Sequence, residues 1–172
     1  MKILFSLFGV FVAFVSSAQL RLPEIFSDHM ILQRDKPVKI WGRAKAGETV
    51  QVNIGREKVA VSADKTGHWT TSLPSFKAGG PFTLEVKTST ESKVFSDVLF
   101  GEVWLCSGQS NMQFRVNQAI NAKYEINRAN NPLIRQVVVP NKLSFHPEEF
   151  IDSTEWIVSN PATTGEFTAV GY

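Results

Sequence analysis

Six short runs, at 38–42, 49–54, 58–61, 68–73, 82–86 and 94–98, carry apolar residues at alternate positions. Residues two apart on an extended chain share a face, so each run has one oily side to bury and one polar side for water. Turn chemistry separates the runs: Lys45-Ala46-Gly47-Glu48, Gly55-Arg56-Glu57, Asp64-Lys65-Thr66-Gly67 and Lys77-Ala78-Gly79-Gly80-Pro81. Short strands at this spacing bury their apolar faces by packing two sheets together. The pattern predicts an N-terminal antiparallel β-sandwich over residues 19–100.

After Phe100 the pattern changes. Val103-Trp104-Leu105-Cys106 is a continuous apolar run, expected to be a buried strand. A helix is predicted over 121–130, with Ala122, Ile126 and Ala129 on one face, stopped by Asn130-Asn131-Pro132. A second strand is predicted over 133–139, ended by Pro140. Strand, turn, helix and strand in this order read as the opening of a parallel βαβ unit. Residues 141–165 read as a long loop with one strand-like piece, Trp156-Ile157-Val158, and 167–172 as the start of another apolar element. The chain is therefore expected to be multidomain, with 101–172 the first, incomplete part of an α/β domain.

The N-terminus places the chain in the cell. Lys2, an apolar run over 3–15 and then Ser16-Ser17-Ala18 have the order of a secretory signal peptide over 1–18, cleaved after Ala18. An uncleaved anchor is the alternative, but the run is short of the roughly 20 apolar residues that span a bilayer. Export to the periplasm or outside the cell is expected, with no membrane association after cleavage. The net charge of +2 sets up no strong field, so no nucleic-acid partner is expected. The single cysteine, Cys106, cannot form an intramolecular disulfide and is expected to be buried within its apolar run. No cluster has zinc-ligand spacing and no glycine pattern marks a phosphate loop, so neither metal nor cofactor is expected.

The apolar run at 103–106 stops at Ser107-Gly108, and Gln109-Ser110-Asn111 follow. Ligands of open α/β sheets bind beyond the carboxyl ends of the strands. A serine there is exposed and has unpaired backbone N–H groups beside it, as acyl transfer requires. Ser107 or Ser110 as a plain cap is the competing reading, since serine and asparagine are favoured caps. The stretch is not the Gly-x-Ser-x-Gly elbow, because Met112 stands at the second glycine position.

Residues 103–112, VWLCSGQSNM, resemble the nucleophile segment of the sialate O-acetylesterases, a branch of the SGNH/GDSL-like hydrolases. Residues 25–33 and 37–42 resemble that family's entry into its N-terminal β domain. Gly67-His68-Trp69, residues 131–135, Trp156 and residues 167–172 follow in the family's order. The resemblance implies Ser110 as nucleophile, with Gln109 and Asn111 as neighbouring oxyanion- or substrate-binding positions. Gln109 replaces the aspartate common in the wider group. The rest of the oxyanion hole and the Asp-x-x-His segment are expected beyond residue 172. His29, His68 and His146 do not follow an aspartate by three places, and each is expected to be structural or solvated.

Two functions remain open. One is hydrolysis of O-acetyl esters on sialic acid or a related glycan, complete in a longer parent and absent from these 172 residues alone. The other is a non-catalytic carbohydrate-binding or scaffolding β-module. Trp41, Trp69 and Trp104 would stack on sugars if exposed, but alternating strand positions favour the core.

Overall fold

The computed structural model describes residues 19–151 and 154–172; the signal peptide expected over 1–18 lies outside them. Seven strands come first: β1 (Ile31–Gln33), β2 (Val38–Arg43), β3 (Thr49–Ile54), β4 (Glu57–Ser62), β5 (His68–Leu73), β6 (Gly79–Lys87) and β7 (Ser92–Gly101). They are followed by α1 (Ser110–Gln113), a 3-10 turn at Val116–Gln118, α2 (Ala122–Arg128), β8 (Asn131–Val137), β9 (Trp156–Ser159) and a 3-10 turn at Thr164–Glu166.

Strands β1, β7, β6, β3 and β4 form one sheet in that order, and β2 pairs with β5 in a separate ribbon. The alternation chooses the inner faces. Val50, Val52 and Ile54 of β3 are buried while Thr49 and Gln51 point to solvent, and Leu84 and Val86 of β6 are likewise buried. Ile40 of β2 and Trp69 and Leu73 of β5 meet them in one core. Phe76 stacks on Phe100 with ring centroids 4.2 Å apart, and Phe82 meets Phe100 edge-on, extending the core along β6 and β7.

The sheet is mixed, not antiparallel throughout. β1, which is too short to show alternation, lies parallel to β7 with Ile31 opposite Leu99 and Gln33 opposite Gly101. Its cover explains why Val98, Leu99 and Phe100 are buried consecutively. β7 also carries one extra residue against β6. Leu84 and Phe82 face Phe95 and Val98, so two steps on β6 span three on β7. Asp97 sits in that bulge with φ 54°, a left-handed conformation that aspartate tolerates better than most residues.

The expected parallel βαβ opening is not what 101–137 forms among the described residues. Residues 103–106 make no strand, and Trp104 and Leu105 are 83% and 90% exposed. A strand needs a ladder partner, and among the described residues none pairs with 103–106; β8, the expected neighbour, pairs antiparallel with β9 in a two-stranded ribbon. Cys106 is consequently exposed, against the expectation of burial. The helix forms as α2, with Ala122, Ile126 and Ala129 on its shielded side. Residues 167–172 form turns in place of a further strand or helix, with Phe167 buried and Thr168 bridged to Arg115.

Gly42 marks the closest backbone approach in the ribbon. Arg21 and Arg43 exchange backbone hydrogen bonds of 2.8 and 2.7 Å, and a Cβ on Gly42 would lie 2.2 Å from the Arg21 carbonyl oxygen. Gly42→Ala is expected to destabilise the protein by about 1–3 kcal/mol through forced backbone displacement. An unchanged denaturant midpoint would show that the 19–22 segment yields freely.

Candidate active site

Ser110 opens α1, a helix of four residues. Gln109 precedes it in an extended conformation, and Gln109, Ser110 and Asn111 are all exposed. The turn is closed by the Met112 N–H donating to the Gln109 carbonyl at 2.9 Å. The N–H groups of Ser110 and Asn111 precede the first such bond and have no acceptor within the helix. The three residues named from sequence thus sit together, hydroxyl and free amides side by side.

The chain downstream of α1 is held firmly. The Phe114 carbonyl accepts the Ala169 N–H at 2.8 Å, and the Val116 N–H donates to the Phe167 carbonyl at 2.9 Å. Arg115 pairs with Glu166, whose other oxygen accepts Asn117 Nδ2 at 3.0 Å. Gln136 of β8 accepts the Thr168 N–H at 3.0 Å. Val116 and Phe167 are buried beneath this lacing. On the other side, a Cβ on Gly171 would lie 3.0 Å from the Cys106 sulfur, so residues 106 and 171 are in close contact.

The three histidines are engaged elsewhere. His68 lies 3.5 Å from Glu149, which also accepts both Nε and Nη2 of Arg43. His146 occupies an exposed turn, its N–H on Ser144 Oγ at 3.2 Å. His29 Nδ1 is 2.6 Å from Asp97 Oδ2. The neighbouring Asp28 does not face His29. Its carboxylate instead accepts the backbone N–H and hydroxyl of Ser96 at 2.6 and 3.0 Å. Among the described residues no hydrogen bond joins Ser110 to a histidine or a carboxylate. No group of three His, Cys, Asp or Glu residues there could hold a metal ion.

Sequence reasoning missed one network. Arg135 of β8 has a side chain only 4% exposed. Its guanidinium donates to the carbonyls of His29, at 2.8 Å, and of Asp97, and to the Asp97 carboxylate at 3.0 Å. The signal was faint: a lone arginine in a β-branched run. Its partners become visible only once the β7 bulge turns Asp97 outward. Burial opposes ionisation of Asp97, but the hydrogen bonds and charges of His29 and Arg135 outweigh it and hold its pKa below the usual carboxylate range.

The tryptophans divide. Trp69 is buried, Trp41 is half-buried and 4.8 Å edge-on to Phe26, and Trp104 is exposed against the expectation of core. A cavity of about 440 Å³ lies between residues 19–27, Lys93, Phe95 and Thr154. Neither Ser110 nor its neighbours line it.

The fold, a mixed sheet with few helices, is similar to that of a carbohydrate acetylesterase. The solved structure of a carbohydrate acetylesterase from Xanthomonas citri superposes with a TM-score of 0.87 at 38% identity, over 90% of this chain and 36% of that one. More particularly, the chain is similar to the sialate O-acetylesterases of Mus musculus and Homo sapiens, each 38% identical over 117 residues. The Pongo abelii relative is 39% identical over the same length. These matches take in 62% of this chain and about a fifth (22%) of each mammalian protein. No family model matches the chain. The family-level resemblance read from the sequence is thus upheld.

Arg135→Met is expected to cost about 1–3 kcal/mol, discounted because Asp97 is one-third exposed. Asp97 has a lowered folded pKa, so its contribution is present above its unfolded pKa and is lost as pH falls through the folded value. The stability gap between wild type and Arg135→Met should be full above about pH 5 and narrow as pH falls through the lowered folded pKa of Asp97. A gap that stays constant or widens in acid would overturn the assignment.

Proposed function

We propose that this chain is the N-terminal part of an exported carbohydrate esterase that removes O-acetyl groups from sialic acid or a related glycan, with Ser110 as nucleophile. In this reading residues 19–100 are a β-sandwich domain and 101–172 open an SGNH-like α/β domain. The observation that carries it is the presentation of Ser110. Its hydroxyl is exposed at the first position of a one-turn helix, beside unpaired amides, within the segment that resembles the family's nucleophile segment.

The chemistry follows from those groups. Ser110 Oγ attacks the acetyl carbonyl as a base removes its proton. The carbonyl oxygen becomes an oxyanion and accepts the Ser110 N–H, with Gln109 and Asn111 beside it. Collapse of the tetrahedral intermediate releases the sugar hydroxyl, which takes the proton back. Water then attacks the acetyl-serine and frees acetate. The base is proposed to lie in a region that the much longer relatives possess beyond the matched segment. The 172 residues alone are accordingly proposed to be inactive, because a serine hydroxyl without a positioned base is a poor nucleophile at neutral pH.

Ser110→Ala in the full-length protein should lower kcat by at least about 10³-fold on p-nitrophenyl acetate and on O-acetylated sialic acid. Acetylated xylan run in parallel reads out the glycan class. Wild-type turnover by Ser110→Ala would remove the serine mechanism and favour a non-catalytic carbohydrate-binding or scaffolding module.

A further inference from the structure

The parallel ladder between β1 and β7 ends at the Gln33–Gly101 pair, where the Arg34 N–H donates to the Gly101 carbonyl at 2.9 Å. Beyond it the backbones part, and the Gln33 side chain takes over. Its Oε1 accepts the Val103 N–H at 3.1 Å, and its Nε2 donates to Glu102 Oε2 at 3.2 Å. A primary amide offers one acceptor and two donors on a planar group, much as a strand edge offers C=O and N–H. Gln33 therefore extends the ladder by one step with a side chain. Glu102 is gripped from its other oxygen by Arg34 Nε at 2.7 Å. Arg34 in turn faces Asp35 at 3.4 Å, and Asp35 pairs with Lys77 at 2.7 Å.

We propose that Gln33, held in place by Arg34 and Glu102, is a positioning residue for Ser110. The inference rests on the reading of Ser110 as nucleophile. Residues 104–109 are exposed, and the described residues give them no ladder of their own. The path of the serine turn is therefore set where the chain is gripped: at Val103 by Gln33, at Cys106 by its contact with Gly171, and at Phe114 and Val116 by the backbone of residues 167 and 169. The Gln33 bond is the hydrogen bond that holds the chain between β7 and the turn. The upstream grip fixes the direction in which the chain leaves β7. A displacement of about 1 Å at a reacting group can cost about 100-fold in rate. The residue carries little of the core, since it is half-buried at the sheet edge and its bonds lie past the last backbone pair.

The test uses the full-length protein with p-nitrophenyl acetate. Gln33→Met keeps length and volume but loses the bonds to Val103 and Glu102, together with a 3.3 Å bond from Nε2 to the Arg34 carbonyl. It is expected to lower kcat about 10- to 100-fold with KM within about twofold and the unfolding midpoint near wild type. Exchanging the pair, Gln33→Glu with Glu102→Gln, keeps an acceptor for the Val103 N–H and reverses the amide–carboxylate bond; kcat should largely recover. Amide exchange at Val103 should be about tenfold faster in Gln33→Met and restored by the exchanged pair, which reads the grip without reference to activity. An unaltered kcat in Gln33→Met overturns the proposal, as does a loss that the exchanged pair leaves uncorrected. Unchanged Val103 exchange overturns the grip itself. Ser110→Ala measured alongside separates the two readings. If it stays active the nucleophile assignment falls; if it is dead while Gln33→Met is fully active, the positioning role alone falls.

Discussion

A buried guanidinium must satisfy its donors, and Arg135 does so across the chain's two halves. Its partners are the carbonyls of His29 and Asp97 and the Asp97 carboxylate. All lie in the β-rich first hundred residues, while Arg135 itself lies on β8. A positive charge only 4% exposed would be costly without them, so β8 can sit in few places relative to the β7 bulge. That fixes Gln136, through it Thr168, and through the 167–169 backbone the residues that follow α1. The position of Ser110 therefore depends on an arginine 25 residues later in the sequence.

The long loop after β8 is tied to the same body by a different set of contacts. Arg43 holds Glu149, the Arg21 guanidinium lies 3.9 Å above the Phe150 ring, and the Ile151 N–H donates to Glu24 at 2.9 Å. Trp156 then donates its indole N–H to the Ile25 carbonyl at 2.9 Å, which sets the start of β9. Each contact joins residues more than 100 apart. Residues 149–151 and Trp156 thus lie against residues 21–25 and the β2 edge, next to the start of β9. β8 and β9 pair there as an antiparallel ribbon of their own.

The similarity to carbohydrate acetylesterases and the local geometry meet at one turn. A superposition over 90% of the chain fixes the course of the backbone, and that backbone leaves Ser110 exposed at the head of α1. What such a turn supplies is a hydroxyl and oriented amides. It does not supply the proton acceptor, and the three histidines are spent on Asp97, on Glu149 and on an exposed turn. In the proposed mechanism the chemistry is therefore divided between parts of the molecule, with the acyl-accepting group and part of the oxyanion site in this chain.

Local pattern was enough for the elements. Period-two alternation marked β2 to β7 within a few residues, and the 122/126/129 stripe marked α2, because burial of one face is written directly into the spacing of apolar residues. The family resemblance likewise singled out Gln109, Ser110 and Asn111 from ten contiguous residues. Pairing was another matter. Three-residue β1 carries too little alternation to announce itself, and its parallel place beside β7 follows from the shared core. Residues 103–106 are apolar enough for a strand, yet a strand exists only with a partner, and none pairs with them among the described residues. The bulge that turns Asp97 toward His29 and Arg135 arises from a mismatch of one residue between two strands, which neither strand's sequence shows alone. Composition and spacing determined which faces are buried, and the resemblance pointed to the serine; the tertiary structure decided which edges meet, because that choice depends on contacts between residues far apart in the chain.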